Sequence, residues 1–151
     1  MAIRREFDYR IRHFDEAEDD QTVATYCRKR LGGDPEYTIN VFRKMRKALA
    51  DKQGEKRTTW LQVMRLGDVY LVAVPGEYFT VAGQAIKRRS PHRYTYVCGV
   101  ANDYIGYIPD RQAYPLGGYH VWTGYHSNVA PGTAEAIADE AVKMLDEVGR
   151  M

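Results

Sequence analysis

The sequence predicts an α+β or α/β layered domain, a mixed β-sheet with helices packed on it, and three observations carry that reading. Two apolar runs, Thr58 to Leu66 and Val69 to Val74, flank a Gly67-Asp68 turn, the pattern of a β-hairpin. Ile39, Phe42, Met45 and Leu49 recur at helical spacing. So do Ile137, Ala141, Met144, Leu145 and Val148 near the end of the chain. The chain has 151 residues, enough for one domain (1–151) with a real core.

The elements follow in order. Phe7, Tyr9 and Ile11 alternate with charged residues, as in a half-buried strand. An acidic cluster from Asp15 to Asp20 opens a helix through Val23, Tyr26 and Leu31, and Arg28-Lys29-Arg30 and Gly32-Gly33 close it. Asp34-Pro35 supplies the N-cap and first-turn proline of a second helix. Its other face is a basic run, Arg43, Lys44, Arg46 and Lys47, with the reach to meet nucleic acid or anionic headgroups. Val69 to Val74 is apolar nearly throughout, which places it centrally in the sheet. Pro75-Gly76 breaks it, and Glu77 to Arg89 reads as a helix stopped by Ser90-Pro91, with Glu77 in its first turn. Arg93 to Val100 is another strand, within which Cys98 is expected to be buried. Residues 101–131 are rich in Gly, Pro and Tyr without helical period, the composition of a functional loop. Thr133 to Val148 forms the last helix, with Gly149 at its end.

Composition narrows the function classes. Hydrophobic residues make up 44% and charged residues 28%, which is globular rather than disordered. A net charge of +2 is too mild to argue for nucleic acid. No stretch has the roughly 20 apolar residues of a transmembrane segment. The N-terminus has no signal-peptide pattern, so a cytoplasmic location is expected if the chain is a full-length product. Cys27 and Cys98 set no disulfide framework.

Glu77 stands directly behind a strand and a tight turn, where a carboxylate is well placed to bind a cation. A run of tyrosines follows: Asn102-Asp103-Tyr104-Ile105-Gly106-Tyr107, then Tyr114, then Tyr119. This ordered set resembles the neutral/alkaline (non-lysosomal) ceramidase family, and specifically the second half of its catalytic domain. The likeness covers about Leu61 to the C-terminal helix and rests on the order of the residues, since no single tripeptide is specific. Tyr114 follows Glu77 by 37 positions, as the family's two metal ligands do.

The resemblance implies a zinc-dependent hydrolase acting on an N-acyl sphingoid or another lipophilic amide. Glu77 and Tyr114 would be two of four zinc ligands. The other two are histidines of the preceding half-domain, to which His13 does not correspond. The family's catalytic tyrosine falls seven positions beyond the Tyr119 equivalent. Here Tyr125 comes after six and His126 after seven, so either is a candidate for the oxyanion donor. His92, His120 and His126 are the local histidines available to join Glu77 in a self-sufficient site. The competing reading is a non-catalytic scaffold or subunit, expected to form a homo-oligomer or to pair with a histidine-bearing complementary half-domain.

Overall fold

The computed structural model describes residues 1–151. Its central sheet has four strands: β1 (Ala2–Arg10), β2 (Lys56–Leu66), β3 (Val69–Ala73) and β5 (Tyr94–Cys98), in the order β1-β2-β3-β5. The first three are antiparallel neighbours and β5 runs parallel to β3, so the sheet is mixed. A parallel neighbour needs a crossover, here helix α3 (Thr80–Arg89). Two further strands, β4 (Glu77–Tyr78) and β6 (Tyr107–Ile108), form a separate parallel pair. The first strand begins earlier than its alternation suggests, because the whole of Ala2 to Arg10 pairs with β2.

Helix α4 (Thr133–Arg150) lies against β2 and β1, with α3 beside it. The main core joins Leu61, Val63, Tyr70 and Val72 of the sheet to Ile137, Ala141, Met144 and Leu145 of α4. Helices α1 (Glu16–Arg30) and α2 (Pro35–Leu49) pack on each other as a separate unit. Their smaller core of Val23, Cys27, Ile39 and Phe42 closes on Trp122, from the long segment before α4. Both helices start as the sequence indicates. Asp15 Oδ1 accepts from the Glu18 amide at 2.9 Å, and Asp34 Oδ1 accepts from the Tyr37 amide at 3.2 Å.

The sheet face turned away from α4 carries Trp60 and Met64 of β2 and Leu71 of β3, all half-buried. Tyr94 and Tyr96 extend this apolar surface and are exposed. No helix of the molecule is long and apolar enough to cross a membrane.

Four expectations change. Glu77 is not in a helical first turn: its amide donates to the Gly106 carbonyl at 2.9 Å, and α3 begins only at Thr80. Pairing with β6 outweighs the local helical pattern. Cys98 is exposed, contrary to the reading from its apolar context, and Cys27 is the buried cysteine. The reason is that β5 is an edge strand and Cys98 shares its outer face with Tyr94 and Tyr96. A thiol reagent is therefore expected to label Cys98 in the native protein, whereas Cys27 should react only after denaturant. Equal native rates would contradict this placement.

The basic run of α2 is also not a free face. Arg46 is fully buried against Glu16 and Asp20, and Arg43 grips Asp20 through two hydrogen bonds. Finally, α4 runs through Gly149 to Arg150. A Cβ at Gly149 would strike the His92 ring, which stacks on Tyr70 at 3.6 Å and hydrogen-bonds the Leu145 carbonyl at 3.0 Å. Gly149 makes room for that ring rather than ending the helix.

Candidate functional site

Glu77 is held where three backbone segments meet. Beyond its own pairing with β6, the Tyr107 amide donates to the His126 carbonyl at 2.8 Å, and the Ile105 amide to the Pro75 carbonyl at 2.8 Å. This close approach excludes side chains. A Cβ at Gly76 would collide with the Gly106 carbonyl oxygen, and one at Gly106 with that of His126. Gly106 also has φ of +86°, a region glycine enters without penalty.

Around the carboxylate stand the tyrosines. Tyr104 donates its hydroxyl to Glu77 Oε1 at 2.8 Å, and Tyr107 is the direct register partner of Glu77 in the β4–β6 pair. Hydrogen bonding to the carboxylate raises the pKa of Tyr104, and the same carboxylate pushes Tyr107 up to about 12. Both phenols therefore remain protonated donors at neutral pH. Tyr107 lies edge-on to His120 at 4.9 Å and to Tyr119 at 6.0 Å. Glu77, Tyr107 and His120 line an open pocket of about 440 Å³, completed by Tyr78, Phe79 and Val81.

His126 lies behind this wall. Its ring stacks on Tyr119 at 4.4 Å, and its Nε2 donates to the Tyr119 carbonyl at 2.8 Å. Burial lowers its pKa, so the ring is neutral at pH 7. Tyr125 is exposed, and the Tyr125 carbonyl is tied to the Asn128 side-chain amide at 3.0 Å.

Tyr114 has different company. Its hydroxyl donates to the Val129 carbonyl at 2.9 Å, and the Arg12 guanidinium sits over its ring at 5.3 Å. Burial pushes its phenol up to about 12. The structure thus gives Glu77 and Tyr114 separate partners, and it brings Tyr104, Tyr107, Tyr119 and His120 to the Glu77 side instead. The signal for these residues was present in the tyrosine pattern, but only the β4–β6 register shows which ring faces the carboxylate. His92 is committed to Tyr70 and Leu145, away from this pocket.

A catalytic zinc ion takes three protein ligands and a water. No group of three or more His, Cys, Asp and Glu side chains in the chain is arranged to hold a metal. Glu77 offers one carboxylate, already hydrogen-bonded, and Tyr114 offers a phenol whose proton is tightly held. By itself this donor set does not fit zinc.

No family model matches the sequence, and no curated protein matches it. Solved structures do. The neutral ceramidase from Pseudomonas aeruginosa aligns with 100% of this chain at 19% identity and a TM-score of 0.55. A ceramidase complexed with C2 aligns with 80% of it at 23% identity and a TM-score of 0.53. The chain spans only 29% and 20% of those two proteins, respectively. At such identity the likeness is one of fold: this α+β chain folds as a partial ceramidase-like domain.

Proposed function

We propose that this chain is one portion of a ceramidase-like, zinc-dependent amide hydrolase, and that it contributes Glu77 to an active site completed by histidines from complementary polypeptide. The observation that carries the proposal is the Glu77 carboxylate, fixed by β-pairing at the mouth of an aromatic pocket with phenol donors beside it. Phe79, Val81 and Tyr107 give that pocket an apolar wall suited to a lipophilic amide, an N-acyl sphingoid among them.

Zinc in the completed site would polarise the amide carbonyl and activate water. In this chain, Glu77 orients the cation side, and Tyr104 and Tyr107 hold protons close to it. Of the two oxyanion-donor candidates, exposed Tyr125 has its hydroxyl free for substrate. His126 is the weaker one, since its Nε2 proton is engaged by Tyr119. Tyr114 enters as second ligand only after releasing Val129, so Tyr119 competes with it for that role.

The apolar face bearing Trp60, Met64, Leu71 and Tyr96 is where a complementary half-domain or a second copy would dock. It also favours the second reading, a non-catalytic subunit whose purpose is association.

The test is zinc per chain, measured together with mass by light scattering, for wild type, Glu77→Ala, Tyr114→Phe and Tyr119→Phe. Weak binding in the monomer, abolished in Glu77→Ala and strengthened in assemblies that hydrolyse N-acylsphingosine, is the expected result. Zinc retained in Glu77→Ala overturns the ligand assignment. Tight, stoichiometric zinc in a monomer overturns the shared site.

A further inference from the structure

An open groove of about 510 Å³ lies between α1 and the Gly117-Gly118 loop, with Tyr26, Lys29, Arg30, Leu116 and Trp122 in its wall. Leu116 is 83% exposed, at the end of a 3₁₀ turn (Tyr114–Leu116) that Pro115 stiffens. Such a side chain is held out into water and takes no part in either core. Tyr26, itself half-exposed, leans edge-on to Trp122 at 5.0 Å, and Leu31 directly after α1 is exposed as well.

The charge of the groove is one-sided. No carboxylate lines it, and Lys29 and Arg30 make no ion pair. The neighbouring cations differ: Arg28 is paired with Glu36, and Arg43 and Arg46 with carboxylates of α1. Complementing the α1 dipole accounts for two cations in its last turn, but not for a bare leucine beside them. The groove also adjoins the Glu77 site. Gly118 leads directly into Tyr119 and His120, and His120 lines the pocket that holds Glu77.

We propose that this groove is a membrane-docking patch, in which Leu116 and Tyr26 enter the interfacial layer of a bilayer and Lys29 and Arg30 meet anionic lipid headgroups. An apolar tip beside an aromatic ring and unpaired cations is the composition that lipid interfaces favour. A soluble anion would engage the cations and leave the leucine in water. The inference rests on the lipophilic-amide reading of the Glu77 pocket, since a substrate dissolved in a bilayer has to be met at its surface.

The test is co-sedimentation of the chain with phosphatidylcholine vesicles, with and without phosphatidylserine. Binding is expected with phosphatidylserine and should fall as salt is raised. Lys29→Gln and Arg30→Gln should each weaken it about fivefold, the worth of one basic residue near an anionic surface. Leu116→Ser should weaken it about tenfold, and circular dichroism should show each variant folded. A polarity-sensitive dye attached through Leu116→Cys in a Cys98→Ser background should shift to the blue on vesicles. The same dye on native Cys98, which marks the apolar sheet face, should not. Absent binding, equal binding to both vesicles, variants that bind like wild type, or a shift at Cys98 instead would overturn the proposal. So would displacement by millimolar inorganic phosphate, the mark of a simple anion site, or a lower mass by light scattering in Leu116→Ser, the mark of a second copy on the groove. Glu77→Ala should bind vesicles like wild type, which keeps the two readings apart. A chain that binds vesicles but never zinc loses the hydrolase reading, and one that binds zinc but no vesicles loses the docking patch.

Discussion

Gly106→Ala should unfold this protein more readily than any other single-methyl addition, by about 3 kcal/mol in urea titration, because strain and collision act together. The residue sits at φ +86°, where a side chain is disfavoured. Its new Cβ would meet the His126 carbonyl group, with the carbonyl carbon at 2.8 Å. That carbonyl oxygen accepts from the Tyr107 amide, so relieving the clash breaks a bond that holds β6. Glu77, whose amide depends on the Gly106 carbonyl, loses its anchor as well. The control is Gly33→Ala, also at positive φ (+79°) but with open space around it. It should cost only about 1 kcal/mol, the left-handed penalty alone. Equal losses at the two positions would show that close approach does not build the Glu77 site.

Arg46→Ala should cost about 2–3 kcal/mol, from its buried stem and from charge-assisted hydrogen bonds whose acceptors, Glu16 and Asp20, stay partly solvated. The guanidinium is 0% exposed and reaches Glu16 through Nε and Nη2, both at 2.9 Å, and Asp20 through Nη2 at 2.8 Å. Truncation removes the bridge between α1 and α2 and leaves a void between them. Arg46→Met fills the void with an apolar stem and should recover most of the loss, because a half-exposed Glu16 can return to water. If Met is as damaging as Ala, the ion pair itself matters more than the packing.

The same cluster sets an acid limit. Arg43 first, and Arg46 with it, hold the Asp20 carboxyl below its ordinary pKa of 3.8. A carboxyl depressed in the folded state contributes stability that is complete above its unfolded pKa and fades as pH falls through the folded one. Thermal midpoints should therefore drop below about pH 4, and Asp20→Asn should be less stable at neutral pH but flatter in acid. A parallel pH profile in the variant would remove Asp20 from the account.

Features that depend on neighbours along the chain are encoded locally. The cap at Asp34, the Gly67-Asp68 hairpin and the apolar stripe of α4 were legible because their signals are local: a side chain bonding an amide three residues on, a turn dipeptide, a period of 3.6. The ordered tyrosines after Glu77 also pointed to a ceramidase-like fold. Tertiary structure decided everything that depends on which segments meet. Cys98 became exposed because its strand is an edge, and Arg46 became buried because α1 places two carboxylates against it. Glu77 left its helix because Gly106 offers a carbonyl to its amide, and Gly149 gave way to His92. The site divided in the same manner: Tyr107 faces the carboxylate by parallel register, while Tyr114 is drawn to Val129 beneath Arg12. Strand order and long-range pairing are set by packing energies summed over the whole domain, and no window of sequence contains them.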